Sequence, residues 1–200
     1  GRKAWLYLTG QRRVRLAPSV NFDTPNPGVA GSATYDDAMI YNGSPEMYNW
    51  SLIGKKEMYF PYNEYQLLYE IPVLEAMGQN TLNPDYVRWE KHRVWVVEAE
   101  LKEGLRHVYH KRRFYLDEDT WAAMSSEAYD HRGTLWRVQL MHPTILWDKG
   151  LTYSLAYSGY DLKAGIYFLS AKPVPDGIKF KLTKNKQFFT SKGMARSGVR

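Results

Sequence analysis

Alternation of apolar and polar residues at a period of two, broken by short turn signals, runs through residues 86–141 and constrains this chain more than any other feature. Tyr86–Leu101, Arg106–Leu116, Trp121–Tyr129 and Leu135–Met141 each read as a strand. Glu103-Gly104-Leu105, Asp117-Glu118-Asp119 and Asp130-His131-Arg132-Gly133 read as the turns between them, the last with glycine where a left-handed residue is wanted. Four neighbouring strands joined in this way form an antiparallel meander.

The parity of the hairpins then sorts side chains between the two faces. Centred on Gly104, the first hairpin pairs Val94 with Phe114 and His92 with Leu116. Centred on Glu118, the second puts Ala122 and Met124 on that same face, and alternation in the fourth strand adds Trp136, Val138 and Leu140. The expectation is one apolar face made by Val94, Val96, Phe114, Leu116, Met124, Trp136, Val138 and Leu140, the candidate lining of a ligand cavity. The reverse face carries Trp89, Arg93, Trp95, Tyr109, Lys111, Arg113 and Tyr115, aromatic and basic side chains interleaved. A sheet of this length twists and curls toward a half-barrel, whose concave side needs a helix, a loop or a ligand to fill it.

The flanking segments supply covers and further strands. Ala4, Leu6 and Leu8 alternate with Trp5 and Tyr7, Thr9-Gly10-Gln11 turns the chain, and Val14 and Leu16 alternate with Arg13 and Arg15. Pairing centred on Gln11 sets Leu8 against Val14 and Leu6 against Leu16 on a dry face, with Tyr7 beside Arg15 on the other. Residues 18–49 hold much of the Pro, Gly and Asn punctuation, with a short helix expected at Asp36–Tyr41; so long a loop is a candidate lid or binding loop. A strand at Ser51–Phe60 follows, then one or two helical turns in Glu64–Met77 interrupted by Pro72. Thr152–Tyr160 and Gly165–Ala171 read as a hairpin and Ile178–Leu182 as a last strand.

Composition narrows the classes of function. A hydrophobic share of 44% beside a charged share of 24% is that of a folded globular chain. The formal charge of +6 suggests a nucleic-acid binder, but from Gly177 onward there are seven Lys and Arg and no Asp or Glu, so residues 1–176 are close to neutral. No nucleic-acid partner is expected. The chain contains no cysteine, which excludes disulfides, thiolate catalysis and cysteine zinc sites. No apolar run is long enough to span a membrane as a helix.

Candidate chemistry is sparse. His107 and His110 lie three apart on an expected strand, so they point to opposite faces and do not share a metal ion. The register above sets His110 against Glu98 as a cross-strand charge pair. Asp117, Glu118 and Asp119 read as a solvated turn rather than a calcium loop. No glycine-rich phosphate loop and no Gly-x-Ser-x-Gly elbow occurs, so no catalytic residue, no metal ligand and no cofactor is assigned.

The strings RKAWLYLTGQRRVRLAP, DTPNP, YNWSLIGKKEMYFPYN, LNPDYVRWEKHRVWVVEAELKEGLRHVYHKRRFYLDEDTW and YDHRGTLWRV closely resemble a bacterial family of unknown function labelled outer-membrane lipoprotein-sorting protein and grouped with the periplasmic carrier LolA. The resemblance covers Arg2 to Val138 and weakens beyond Gln139. It implies a mainly β, LolA-like fold in which a curved antiparallel sheet, an open or half β-barrel, wraps short helices and a long loop around an apolar cavity. It further implies periplasmic residence, no enzymatic activity, and a single domain over residues 1–200 that forms the C-terminal portion of a longer chain. The expected function is a non-enzymatic carrier of lipid, lipoprotein acyl chains or another hydrophobic ligand, with envelope transport or outer-membrane proteins as further partners. The alternative is a scaffold domain that engages a protein or membrane through its aromatic and basic sheet face without a bound ligand.

Overall fold

The computed structural model describes residues 5–16, 21–153, 156–170, 180 and 183–197. Its centre is an open, curved antiparallel sheet of seven strands. Strand β1 (Trp5–Leu8) pairs with β2 (Arg13–Leu16) as a separate hairpin. The main sheet contains β3 (Tyr48–Pro61), β4 (Trp89–Leu101), β5 (Lys111–Asp117), β6 (Ala123–Tyr129) and β7 (Leu135–Met141). A small hairpin, β8 (Thr144–Leu146) and β9 (Leu151–Tyr153), precedes β10 (Tyr157–Asp161) and β11 (Ile166–Ser170). The order across the sheet is β11-β10-β7-β6-β5-β4-β3, with β3 and β11 at the edges. The expected mainly β fold and its four-strand meander are present, and the hairpin expected at Thr152–Tyr160 and Gly165–Ala171 is formed by β10 and β11, with Thr152 and Tyr153 belonging instead to β9. The strand expected at Ile178–Leu182 lies outside the described residues apart from Phe180.

The register departs from the expected one, and the departure moves side chains between faces. Phe114 pairs with Val97 rather than Val94, a displacement of three residues. An odd displacement exchanges the two faces of a strand relative to its neighbour. The cause is the β4–β5 connection, which is not a tight turn at Gly104. Residues 102–110 form an irregular excursion, closed where the Leu101 amide donates to the His110 carbonyl at 2.8 Å. In β6 a bulge skips Met124, since Tyr115 pairs with Ser125 but Leu116 with Ala123. The expected apolar face is therefore corrected: Phe114 and Leu116 lie on one side, with Val97. Val94 and Val96 lie on the other, in one buried cluster with Tyr115 and Met124. Val138 and Leu140 pair with Tyr160 and Ser158, opposite in parity to Gln139, so they also face away from Phe114. The β1–β2 register is corrected in the same way, with Tyr7 opposite Val14 and Trp5 opposite Leu16.

Each side of the sheet has its own cover. On one side, residues 21–47 run as irregular chain with single 3-10 turns, and Ala33, Ile40, Tyr48, Phe114, Met141 and Phe168 pack together beneath them. The helix expected at Asp36–Tyr41 is only the turn Tyr35–Asp37, because Met39 and Ile40 adopt left-handed φ of 52° and 73° that no α-helix accommodates. On the other side, a π-helical turn Gln66–Glu70 and helix α1 (Val73–Ala76), separated by Pro72 as the sequence suggested, bury Leu67, Leu68, Ala76 and Leu82 against Ala156, Tyr167 and Leu169.

Candidate functional site

A buried ionic network fastens the loop cover to the sheet. Arg112, on β5, has no exposed surface. Its guanidinium donates to Asp36 Oδ2 at 2.9 Å, Asp37 Oδ1 at 2.8 Å and the Ile40 carbonyl at 3.2 Å. His107 Nδ1 accepts from the Tyr109 amide at 3.0 Å, so Nε2 carries the proton that meets Asp36 Oδ2 at 3.1 Å. Tyr109 donates its hydroxyl to Asp37 at 2.7 Å, and Arg137 links Tyr109 to Asp161. Burial alone would raise the Asp36 pKa, but the His107 hydrogen bond and the Arg112 charge hold it below the usual carboxylate value. Burial pushes the Tyr41 hydroxyl up to about 12.

Beside this network the loop stops short of the sheet edge and leaves a hollow of about 310 Å³, lined by Tyr41, Trp50, Val97, Phe114, Leu116 and Ala123. Its floor is aromatic: Trp50 stacks on Phe114 with centroids 5.6 Å apart, and Tyr41 meets both rings edge-on. The polar ends of these rings are used elsewhere. Trp50 Nε1 donates to the Pro45 carbonyl at 2.8 Å and the Tyr41 hydroxyl to the Ser44 carbonyl at 2.9 Å. What remains toward the opening is carbon. Leu52, 63% exposed, pairs with Val97 and extends the same surface along β3. Trp95, opposite Leu116, continues it to Trp121, 67% exposed and stacked on Trp95. Phe114 and Leu116 are thus the two sequence-derived candidates that line the hollow. Val94, Val96 and Met124 are in the core of the opposite side, Val138 and Leu140 are half-buried there, and Trp136 donates its indole N–H to Asp161. Tyr41, Trp50, Val97 and Ala123 went unrecognised, although the spacing of Tyr48, Trp50 and Leu52 marks one face of an aromatic strand.

Residues 1–195 match the family described as Protein of unknown function (DUF1329). The chain belongs to this family. It is 43% identical over 202 residues to the Uncharacterized protein PA3922 of Pseudomonas aeruginosa, an alignment that takes in all of this chain and 44% of that protein. The chain therefore spans less than half the length of the curated relative it matches. In fold it is similar to the domain designated an outer membrane lipoprotein-sorting protein from Vibrio parahaemolyticus, with a TM-score of 0.60 at 17% identity over 98% of this chain and 67% of that one. It is also similar to a DUF1329 family protein from Desulfovibrio piger, with a TM-score of 0.52 at 14% identity over 84% of this chain and 55% of that one. The first of these likenesses agrees with the mainly β fold, a curved open antiparallel sheet, that the sequence strings implied.

Other groups of chemical interest sit apart from the hollow. His110 does not meet Glu98; Arg113 occupies that position and binds Glu98 at 2.8 Å, while His110 lies beside the His131 ring. Asp117 is fully buried rather than solvated, because its carboxylate receives the Thr120 amide and hydroxyl and lies 3.1 Å from His92 Nδ1. His92, Asp117 and Asp119 bring one ligand atom each within 4.8 Å of one another, yet Asp117 already spends both oxygens on these partners. On the helix side, His142 Nε2 lies 2.9 Å from Ser158 Oγ and its Nδ1 lies 3.7 Å from Glu64 Oε1. The side chains of Glu64 and His142 are sealed at 1% exposure or less, and Ser158 is likewise fully buried, so no substrate reaches this acid–His–Ser alignment as folded. The interleaved aromatic and basic face divides as well, since Tyr109 is buried in the network while Lys111 and Arg113 bind Glu98. No helix among the described residues is long and apolar enough to cross a membrane.

Proposed function

We propose that this chain is a non-enzymatic module that holds a hydrophobic ligand, an acyl chain or lipid, in the periplasm of the bacterial envelope. The observation that carries this reading is the open aromatic hollow at Trp50, Phe114 and Leu116, whose hydrogen-bonding groups are all directed away from its mouth. Its volume, about 310 Å³, is at the small end for ligand sites, which suits one segment of a chain lying along an open trough. Each methylene taken from water into such a trough contributes about 0.8 kcal/mol, so a short stretch of acyl chain is enough for measurable affinity. The fold likeness to a domain designated as lipoprotein-sorting supports the same class of ligand. The sealed Glu64–His142–Ser158 alignment supports the non-enzymatic part of the reading.

Saturable uptake of N-phenylnaphthylamine, and its displacement by a long-chain fatty acid, tests the proposal. Leu116→Asp should weaken uptake at least about tenfold by placing a carboxylate in the trough. Leu74→Asp, at a position 88% exposed on the helix side, should leave uptake unchanged. Dye binding that neither saturates nor responds to Leu116→Asp in a folded variant would remove the carrier reading and favour the scaffold alternative.

A further inference from the structure

The charge of this chain is divided along its length, and the fold brings the described parts of its cationic stretches, residues 5–16 and 183–197, into one module. Residues 1–22 carry five Lys and Arg and residues 177–200 carry seven, with no Asp or Glu in either stretch. Residues 23–176 hold 21 acidic and 15 basic residues. Helix α2 (Ser191–Ser197), with the 3-10 turn Lys186–Phe189 before it, packs against β1 and β2. Arg13 and Arg15 on the hairpin, and Lys186, Lys192 and Arg196 on the C-terminal turns, are all exposed. Among the described residues none of these cations is ion-paired with a carboxylate.

The same module displays apolar groups that a surface in water does not usually leave out. Phe189 is 76% exposed, Trp5 and Phe188 43% each, and Met194 39%. Together they line a cleft of about 370 Å³ between the hairpin and α2. The Lys184 ammonium lies 4.9 Å from the centre of the Phe188 ring, so charge and ring are presented side by side. Aromatic side chains favour the headgroup and acyl boundary of a bilayer, and Lys and Arg extend their ammonium and guanidinium groups to lipid phosphates. The acidic remainder of the chain is repelled by an anionic surface, which orients the cationic module toward it.

We propose that this hairpin-and-helix module docks the protein on an anionic lipid bilayer, its cations on the lipid phosphates and Phe188, Phe189 and Trp5 at the acyl boundary. Phenylalanine and methionine in a cleft offer no groups to read base edges, which favours a lipid surface over a nucleic acid. The inference does not depend on the hollow at Trp50 and Leu116, which lies on the main sheet.

Co-sedimentation of the whole chain with phosphatidylcholine vesicles, with and without phosphatidylglycerol, tests it. Binding should require the anionic lipid and fall as salt is raised. The fourfold variant Lys184→Glu, Lys186→Glu, Lys192→Glu, Arg196→Glu should weaken binding on the order of 10²–10³-fold. Phe189→Ser should weaken it while leaving the salt dependence in place. Leu116→Asp should bind vesicles like the wild type, so failure of the carrier reading and failure of this one are separately visible. Equal binding to neutral and anionic vesicles would overturn the proposal, as would salt-insensitive binding by the unaltered chain, a measurement that needs no variant. Tighter binding to a single-stranded oligonucleotide than to the vesicles would overturn it in favour of a nucleic-acid partner.

Discussion

Replacing Arg112 by methionine isolates what the buried network contributes. The side chain is fully buried and bonded to Asp36, Asp37 and the Ile40 carbonyl, with the rings of Tyr41, Tyr109 and Phe114 5.0–5.3 Å from its guanidinium carbon. Methionine refills most of the volume, so the cavity contribution is small. What is lost is the charge that compensates two carboxylates, of which Asp36 keeps His107 and Thr34 while Asp37 keeps Thr34 and Tyr109. Breaking a buried pair from one side costs about 3–5 kcal/mol. With a urea dependence of roughly 2 kcal/mol per molar, the unfolding midpoint at pH 7 should fall by roughly 2 M. Adding Asp36→Asn and Asp37→Asn to Arg112→Met should recover much of the loss, because a buried neutral cluster replaces an uncompensated charge. The pH dependence follows from the lowered Asp36 pKa. A carboxylate with a depressed folded value stabilises above its unfolded value of about 3.9, and that stability is lost as pH falls through the folded value. The wild type should therefore lose its advantage over Arg112→Met below about pH 4. A midpoint change of less than about 0.5 M at pH 7, or a triple variant weaker than the single one, would refute the reasoning.

Two other substitutions probe the two sides of the sheet. Burial raises the Glu64 pKa against the opposing effect of His142, and among the described residues neither carboxylate oxygen has a hydrogen-bond partner. A raised value stabilises below the unfolded value of about 4.3 and loses that contribution as pH rises through the folded value, so Glu64→Gln should raise the urea midpoint at pH 8 and not at pH 4. Gly159 lies directly opposite Phe168, and a Cβ at that position would be 2.4 Å from the Phe168 ring. Gly159→Ala should therefore cost about 1–3 kcal/mol in thermal unfolding through displacement of that buried ring, and Phe168→Leu in the same chain should relieve part of it.

Strand existence was legible in the sequence because each strand carries its own pattern, whereas the faces were not, because they depend on the connections. The turn at Gly133, φ 75°, and the short link from Asp117 to Ala122 fall where the residue types put them. Lys102–His110 does not behave as Gly104 suggests, since His107 and Tyr109 leave the strand pattern to meet Asp36 and Asp37 more than 70 positions earlier. A side chain recruited by a distant partner overrides local turn chemistry, and one odd displacement then misplaces a whole strand. Asp36, Asp37 and Arg112 carried no local signal either, because a pair separated by 76 residues has no periodicity to betray it. The hollow shares this origin: Tyr41 comes from the loop, Trp50 from β3 and Leu116 from β5, and only the register brings them together.

The kind of contact that holds each cover decides where a ligand can enter. Residues 64 and 65 are held by polar contacts, Glu64 beside His142 and the Tyr65 hydroxyl bonded to the Ile145 amide and carbonyl. Residues 66–77 are fixed chiefly by apolar contacts through Leu67, Leu68 and Ala76, which loosen gradually and tolerate sliding. The loop of residues 21–47 is instead fixed by directional, charge-assisted bonds from Arg112 and Arg137, the latter also reaching the Gly31 carbonyl at 2.8 Å. Lifting that loop would strip two carboxylates of their partners at once, so it is a poor lid, contrary to what its Pro and Gly content suggests. The hollow needs no lid. Its mouth is already open beside β3, an edge strand of 14 residues whose Trp50 and Leu52 are exposed, and an apolar chain can be laid along that edge without moving either cover. On the proposed carrier reading, entry then depends on the side chains of β3, the strand that borders the sheet, rather than on loop opening.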